Sequence, residues 1–159
     1  MLKVKLITVG NLKEDYLRSA VAEYEKRLGA FCRFELIQLK EERLSDMPSK
    51  NEINAALERE AVKIIEQISS SSYCVALCVE GKQLSSEELA ERIESVSMEK
   101  SEICFVIGSS YGLADTVKQR ADMRLSVSKL TFPHQLMRVI LLEAVYRAFN
   151  IQRGTKYHK

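Results

Sequence analysis

The sequence is poor in the residues on which metal and nucleophile chemistry usually depend. Its 159 residues include two histidines, His134 and His158, neither in a recognisable catalytic motif, so a Ser-His-Asp type of triad is not expected. The four cysteines, Cys32, Cys74, Cys78 and Cys104, lie in apolar, strand-like stretches and not in loops with metal-ligand spacing, which argues against a metal centre. Cys74 and Cys78 would stand about 13 Å apart on an extended strand, too far for a disulfide or a shared ion, and a core role is expected. No apolar run approaches membrane-spanning length, and Met1 to Gly10 lacks the apolar core of a signal peptide; the expectation is a cytoplasmic protein without a membrane partner. Neither G-x-G-x-x-G at the start of a helix nor G-x-x-x-x-G-K-[ST] occurs, so an ordinary dinucleotide site or P-loop is not expected. Charge of one sign is not in excess either. With 24 basic and 22 acidic side chains the net charge is +2, and any attraction for nucleic acid must be local.

What is present reads as strands alternating with helices. Leu2 to Val9 alternates apolar and polar side chains, and Leu17, Val21, Tyr24 and Leu28 follow at helical spacing, with Gly29 as a stop. Phe31 to Leu39 reads as a second strand and Lys40 to Pro48 as an exposed loop. Ser49 with Glu52, and Ser85 with Glu88, have capping-box spacing, the second framed by Leu84 and Leu89 as a hydrophobic staple. Between them Ile53, Leu57, Ala61, Ile64, Ile65 and Ile68 form one helical stripe. Tyr73 to Val79 is a continuous apolar run, expected to be the central strand of a parallel sheet. Ile103 to Ile107, Ala114 to Ala121 and Arg124 to Val127 read as strand, short helix and strand, and Pro133 as the first residue of a final helix reaching Asn150. That helix is apolar on more than one side, which predicts a face for a partner subunit. The pattern predicts one α/β domain over residues 1–159, with a mostly parallel sheet and helices on both of its faces.

Two segments stand out, the first of them as a candidate ligand loop. Ile107 to Leu113 carries Gly108 and Gly112 directly after a buried strand, where open α/β sheets bind ligands. Val127 to His134 is an irregular connection into the last helix, and His134 beside a helix N-terminus would have protonation disfavoured. Charge is also unevenly distributed. From Arg138 to Lys159, five basic side chains oppose only Glu143, giving +4, while the remaining 137 residues carry −2. Tyr146, Phe149 and Tyr157 lie among those cations, a combination suited to phosphate contacts with base stacking. Glu87, Glu88, Glu91 and Glu94 make the third helix acidic, a surface expected to face away from RNA.

The glycine loop around Gly108, the stretch Ser128-Lys129-Leu130-Thr131-Phe132-Pro133-His134, the Arg138 to Phe149 helix and the terminal Tyr157-His158-Lys159 together resemble one family. It is the ribosomal RNA large subunit methyltransferase H family, pseudouridine N3-methyltransferases of the SPOUT class, and the resemblance spans essentially the whole chain. It implies a C-terminal trefoil knot, a homodimer with the cofactor site near the subunit interface, and 23S rRNA of the assembled ribosome as substrate. It further implies an S-adenosylmethionine pocket using Leu77, Gly108 and Val127, Ser128, Lys129, Leu130, Thr131 and Phe132, with Arg138, Tyr157 and His158 holding RNA. No catalytic base is assigned. The family commonly has a second glycine where this chain has Ser109. Two other readings stay open: a non-catalytic α/β module that binds ribosomes or nucleotides, and an enzyme of the same class acting on transfer RNA.

Overall fold

Five strands and five helices alternate along the chain, and a computed structural model describes all of residues 1–159. In order they are β1 (Lys3–Val9), α1 (Asp15–Leu28), β2 (Arg33–Leu39), α2 (Lys50–Glu66), β3 (Tyr73–Gln83), α3 (Ser86–Glu99), β4 (Glu102–Ile107), α4 (Asp115–Arg120), β5 (Met123–Ser126) and α5 (His134–Gln152). Both expected capping boxes form. Ser49 and Ser85 accept the backbone N–H of Glu52 and Glu88, whose carboxylates accept the capping residues' own N–H. Each box satisfies two backbone donors that a helix start otherwise leaves to water.

The strands form one sheet in the order β2-β1-β4-β3-β5, and every pairing is parallel. Period-two alternation then divides the core. Val4, Leu6, Val75, Ile103 and Phe105 face α1, α3 and α5, while Ile7, Val9, Cys74, Ala76, Cys104 and Val106 face α2 and α4. Three of the cysteines are fully buried and all four are free thiols. No helix is long and apolar enough to cross a membrane.

Two expectations about this sheet need correction. The middle strand is β4, all six of whose residues are buried, and β3 lies between it and the edge strand β5. An apolar run reports burial on two faces, which any interior strand has; it does not report position. Furthermore, β3 does not stop at Val79. After an irregularity beyond Leu77 it pairs with β5 again, Lys82 opposite Leu125 and Gln83 opposite Ser126. Gly81 permits this second approach, because a Cβ there would lie 2.7 Å from the Leu125 carbonyl carbon and 2.8 Å from that of Arg124.

The apolar surface of α5 is largely consumed within the chain. The helix lies against α1, α3 and β4, burying Leu141, Leu142, Val145, Ala148 and Phe149, with Phe149 stacked on Phe31 at 5.7 Å between ring centroids. Its many-sided hydrophobicity therefore has an internal cause. Of the large apolar side chains left exposed, Val127, Leu130 and Leu136 lie in and just beyond the loop that precedes it. Pro133 sits one residue earlier than expected, as the extended N-cap residue, and His134 opens the helix.

Candidate active site

At the carboxyl ends of β3, β4 and β5 the strands open into a cavity of about 790 Å³, within the usual range for small-molecule sites. Three chain segments build it. One is the end of β3, Leu77 to Glu80; the second is the glycine loop, Ile107 to Leu113; the third runs from Leu125 through the irregular connection to Met137. Of the residues expected to hold a cofactor, Leu77, Gly108, Val127, Ser128, Leu130, Thr131 and Phe132 all line this space. Lys129 does not. The Ser126 hydroxyl donates to the Ser128 carbonyl and the Leu130 N–H donates to the Ser128 hydroxyl, a local turn that leaves Lys129 exposed, where an ammonium keeps its hydration.

Gly108 is required for a reason other than positive φ. A Cβ on it would lie 2.2 Å from the Gly112 carbonyl oxygen and 2.9 Å from the Leu113 side chain, so the loop closes on its own backbone at this point. Gly112 is the residue with left-handed backbone, φ +88°, and its N–H closes the turn by donating to the Ser109 carbonyl at 2.9 Å. Ser109 is accommodated in the same turn. Its hydroxyl faces the buried carboxylate of Glu60, helping to hold a charge that burial disfavours, and Glu60 also accepts the N–H of Glu42 at 3.0 Å. Ser109 is thus buried beside Glu60, and it is Glu60 that ties α2 to the loop after β2.

Sequence reasoning missed one wall. Cys78 and Glu80 follow the point where β3 becomes irregular, and Lys118 comes from α4 to pair with Glu80. Burial pushes the Cys78 thiol up, and the Lys118 ammonium holds the Glu80 carboxyl below its usual range. Position at a strand's carboxyl edge could have marked the first two; nothing local marks Lys118. No group of three or more His, Cys, Asp or Glu side chains is arranged to hold a metal ion.

The residues expected to hold RNA separate into two places. Tyr157 and His158 fold back on α5 and α3: the Tyr157 hydroxyl donates to Glu143 at 3.1 Å, and the His158 ring lies between Arg147, at 3.2 Å, and Glu87, at 2.7 Å. The guanidinium of Arg147 lies 4.8 Å from the centre of the Tyr157 ring. Burial, with Tyr24 and Glu143 nearby, pushes the Tyr157 phenol up to about 12, so it remains a donor. Arg147 belongs to this cluster; its charge counts in the basic C-terminal segment of the sequence, but it is not among the residues expected from the sequence to hold RNA. The third residue, Arg138, is fully buried. Its Nη2 donates to the carbonyls of Val9 and Gly10 at 3.1 and 2.8 Å, and it reaches no surface where RNA could lie. Its charge was read as surface charge, whereas its place on the inward face of α5 makes it a tie between that helix and the end of β1. The acidic start of α3, expected to face away from the tail's ligand, carries Glu87, the tail's own partner.

A family model described as "Predicted SPOUT methyltransferase" matches residues 2–158. A Streptococcus thermophilus protein named "Ribosomal RNA large subunit methyltransferase H" is 49% identical over 159 residues, covering 99% of this chain and all of its own length. A Bacillus pumilus protein of the same name is 46% identical with the same coverage. Among solved structures, a probable methylase family protein from Haemophilus influenzae Rd KW20 superposes over 99% of this chain and 70% of its own with a TM-score of 0.55; at 15% identity this likeness shows the fold alone. With the α/β sheet, the loop-built cavity at its carboxyl edge and full-length relatives in agreement, the chain belongs to the SPOUT methyltransferase family.

Proposed function

We propose that the protein transfers a methyl group from S-adenosylmethionine to N3 of a pseudouridine in 23S rRNA of the assembled ribosome. The observation that carries this is the cavity itself, built from backbone-rich loops at the carboxyl edge of the sheet. Its chemistry fits the donor. Leu77, Leu130 and Phe132 offer apolar cover for an adenine, and backbone amides and carbonyls of the glycine loop and of Val127 to Phe132 can pair with its edge. When bound, S-adenosylmethionine supplies an electrophilic methyl group on a sulfonium sulfur. Relatives named as ribosomal RNA methyltransferases at 46–49% identity support the substrate class, and a preformed ribosome can present the docking surface that a 159-residue chain has little room to provide.

The placement of the tail supports a homodimer. Arg147 lies ten residues along α5 from the cavity-lining Met137, about 15 Å at the rise of an α-helix, and Arg147, Tyr157 and His158 are absent from the lining of the chain's own cavity. They would act at the reacting base of a partner's cavity, across an interface that includes the exposed Val127, Leu130 and Leu136. On this reading residues 1–159 are a single cytoplasmic domain, and the path from β5 through the loop into α5 is the knotted part of a SPOUT trefoil.

Calorimetric titration will give one S-adenosylmethionine per chain; no heat at millimolar cofactor would favour the non-catalytic reading. The tail is tested by His158→Ala and Tyr157→Phe. Loss of a hydrogen bond to a charged substrate group costs about 1.5–3 kcal/mol, so transfer to ribosomes will fall roughly ten- to a hundredfold. Cofactor affinity in both variants will match the parent. Unchanged rates in both would remove the tail from the site.

A further inference from the structure

Five side chains that can gain or lose a proton line the cavity: Cys78, Glu80, Tyr111, Lys118 and His134. Removing a proton from a base nitrogen requires a group that arrives without one. Cys78 holds its proton because burial pushes the thiol up. Glu80 and Lys118 are paired with each other, and the ammonium makes the carboxylate a poorer proton acceptor. Tyr111 stands at the rim with nearly half its surface in solvent, 47%. His134 differs from all four. It is half-buried at the first turn of α5, directly after the connection that forms the third wall of the cavity, and its ring makes no hydrogen bond within the chain.

We propose that His134 is the proton acceptor of the transfer reaction. The inference rests on the methyl-transfer reading above. A ring nitrogen of neutral His134 takes the N3 proton of the target base. The electron pair left on N3 forms the new N–CH3 bond, the pair of the breaking S–CH3 bond stays with sulfur, and His134 becomes imidazolium until solvent removes the proton. The base nitrogen turns strongly acidic as the methyl group reaches it, so the acceptor needs to be unprotonated more than it needs to be strong.

The surroundings of His134 keep it in that form. Burial lowers its proton affinity most and the Arg138 cation comes next; Glu41 opposes them by less than Arg138 contributes, and Lys13 adds the smallest lowering. The N-terminal end of α5 acts in the same direction. Arg138 lies four residues on, so on the same face of the helix; held by two carbonyls and shut off from solvent, it is a fixed cation that counterions cannot screen. It serves as a positioning residue, acting through His134.

Single-turnover transfer to ribosomes with saturating cofactor, measured against pH, tests the assignment. The parent rate will rise with pH along a limb below 6.5, the ordinary histidine value, and level off above it. His134→Gln will lose about 10²–10⁴-fold of the rate together with that limb, with cofactor Kd by calorimetry unchanged, and added imidazole will partly restore His134→Ala. By NMR, the His134 ring of the cofactor-free protein will titrate below 6.5, and Arg138→Met will move it upward. A His134→Gln enzyme that keeps the parent rate and its acid limb, or that loses cofactor binding in step with rate, overturns the proposal, as does a ring titrating at or above 6.5. A parent enzyme that methylates no ribosomal RNA is a separate result, visible before any variant is compared, and removes the underlying reading too.

Discussion

Alanine in place of Gly108 will strip the protein of most of its cofactor affinity. The added carbon would lie 2.2 Å from the Gly112 oxygen and 2.6 Å from its carbonyl carbon, both backbone atoms of a closed turn, so no side-chain rotation relieves the clash. The loop has to open. Overpacking of this kind costs about 1–3 kcal/mol, and if it falls on the bound form of the loop the affinity drops roughly ten- to a hundredfold. Because the damage is confined to a loop at the sheet's carboxyl edge, the far-UV spectrum will remain that of the parent. Gly112→Ala makes the useful contrast: its Cβ would meet nothing within 4 Å, but φ of +88° strains any side-chain-bearing residue, at about 1–2 kcal/mol. Calorimetry on the two variants separates a loop blocked by contact from one strained in its backbone. Parent-like affinity in Gly108→Ala would mean that this loop does not shape the cofactor site.

Substitution of Arg138 will be felt in stability, where a surface arginine would hardly register. Arg138→Ala removes the donor shared by the Val9 and Gly10 carbonyls and leaves a void against β1. Lost packing and two orphaned acceptors amount to about 2–5 kcal/mol, which lowers Tm by about 5–15 °C in a chain of this size. Arg138→Met will be milder. It keeps most of the volume and removes a guanidinium whose Nε and Nη1 are buried without partners, and replacing an imperfectly paired buried charge by an apolar side chain is often close to neutral. An arginine reserved for RNA would show the opposite pattern, with stability changes within about 0.5 kcal/mol for both variants. Thermal and denaturant unfolding of the two proteins distinguish these outcomes.

The difference between Arg138 and Tyr157 shows where sequence reading stops. Local signals carried the fold well: Ser49 with Glu52 and Ser85 with Glu88 each place an acceptor three residues before a donor, a spacing that needs no tertiary information. Apolar runs located β3 and β4 because burial on two faces leaves a compositional mark. They could not order the strands, since strand order is set by crossovers whose partners lie far apart in sequence. The two loops around Gly108 and Val127 to Phe132 were legible as irregular, glycine-bearing or proline-bounded segments after strands, and their meeting in one cavity was implied by resemblance. Of the wall formed by Cys78, Glu80 and Lys118, the first two stand at the carboxyl edge of β3, but Lys118 was invisible because it reaches Glu80 from α4, far along the chain. The basic C-terminal segment was misread in part. Its count of +4 includes Arg138, which is buried, Arg147, which is paired with Glu143, and Arg153, whose guanidinium lies 4.4 Å from the centre of the Phe31 ring. Net charge counts ions without showing which are already engaged.

That engagement gives the tail a defined starting state. Tyr157 and His158 rest on Glu143 and Glu87 of their own chain, so RNA that recruits them must displace carboxylates from an arrangement already satisfied. Both contacts are partly exposed, where water competes for the same groups, so a polyanion can displace them.

Transfer of labelled methyl from S-adenosylmethionine to ribosomes that lack the modification, followed by mapping of the labelled nucleotide, decides whether this cavity does what its construction suggests. The expected result is label at N3 of a single pseudouridine in 23S rRNA, with intact ribosomes a better substrate than free RNA. Label on transfer RNA alone, or none on either RNA from a protein that binds the cofactor, would contradict it.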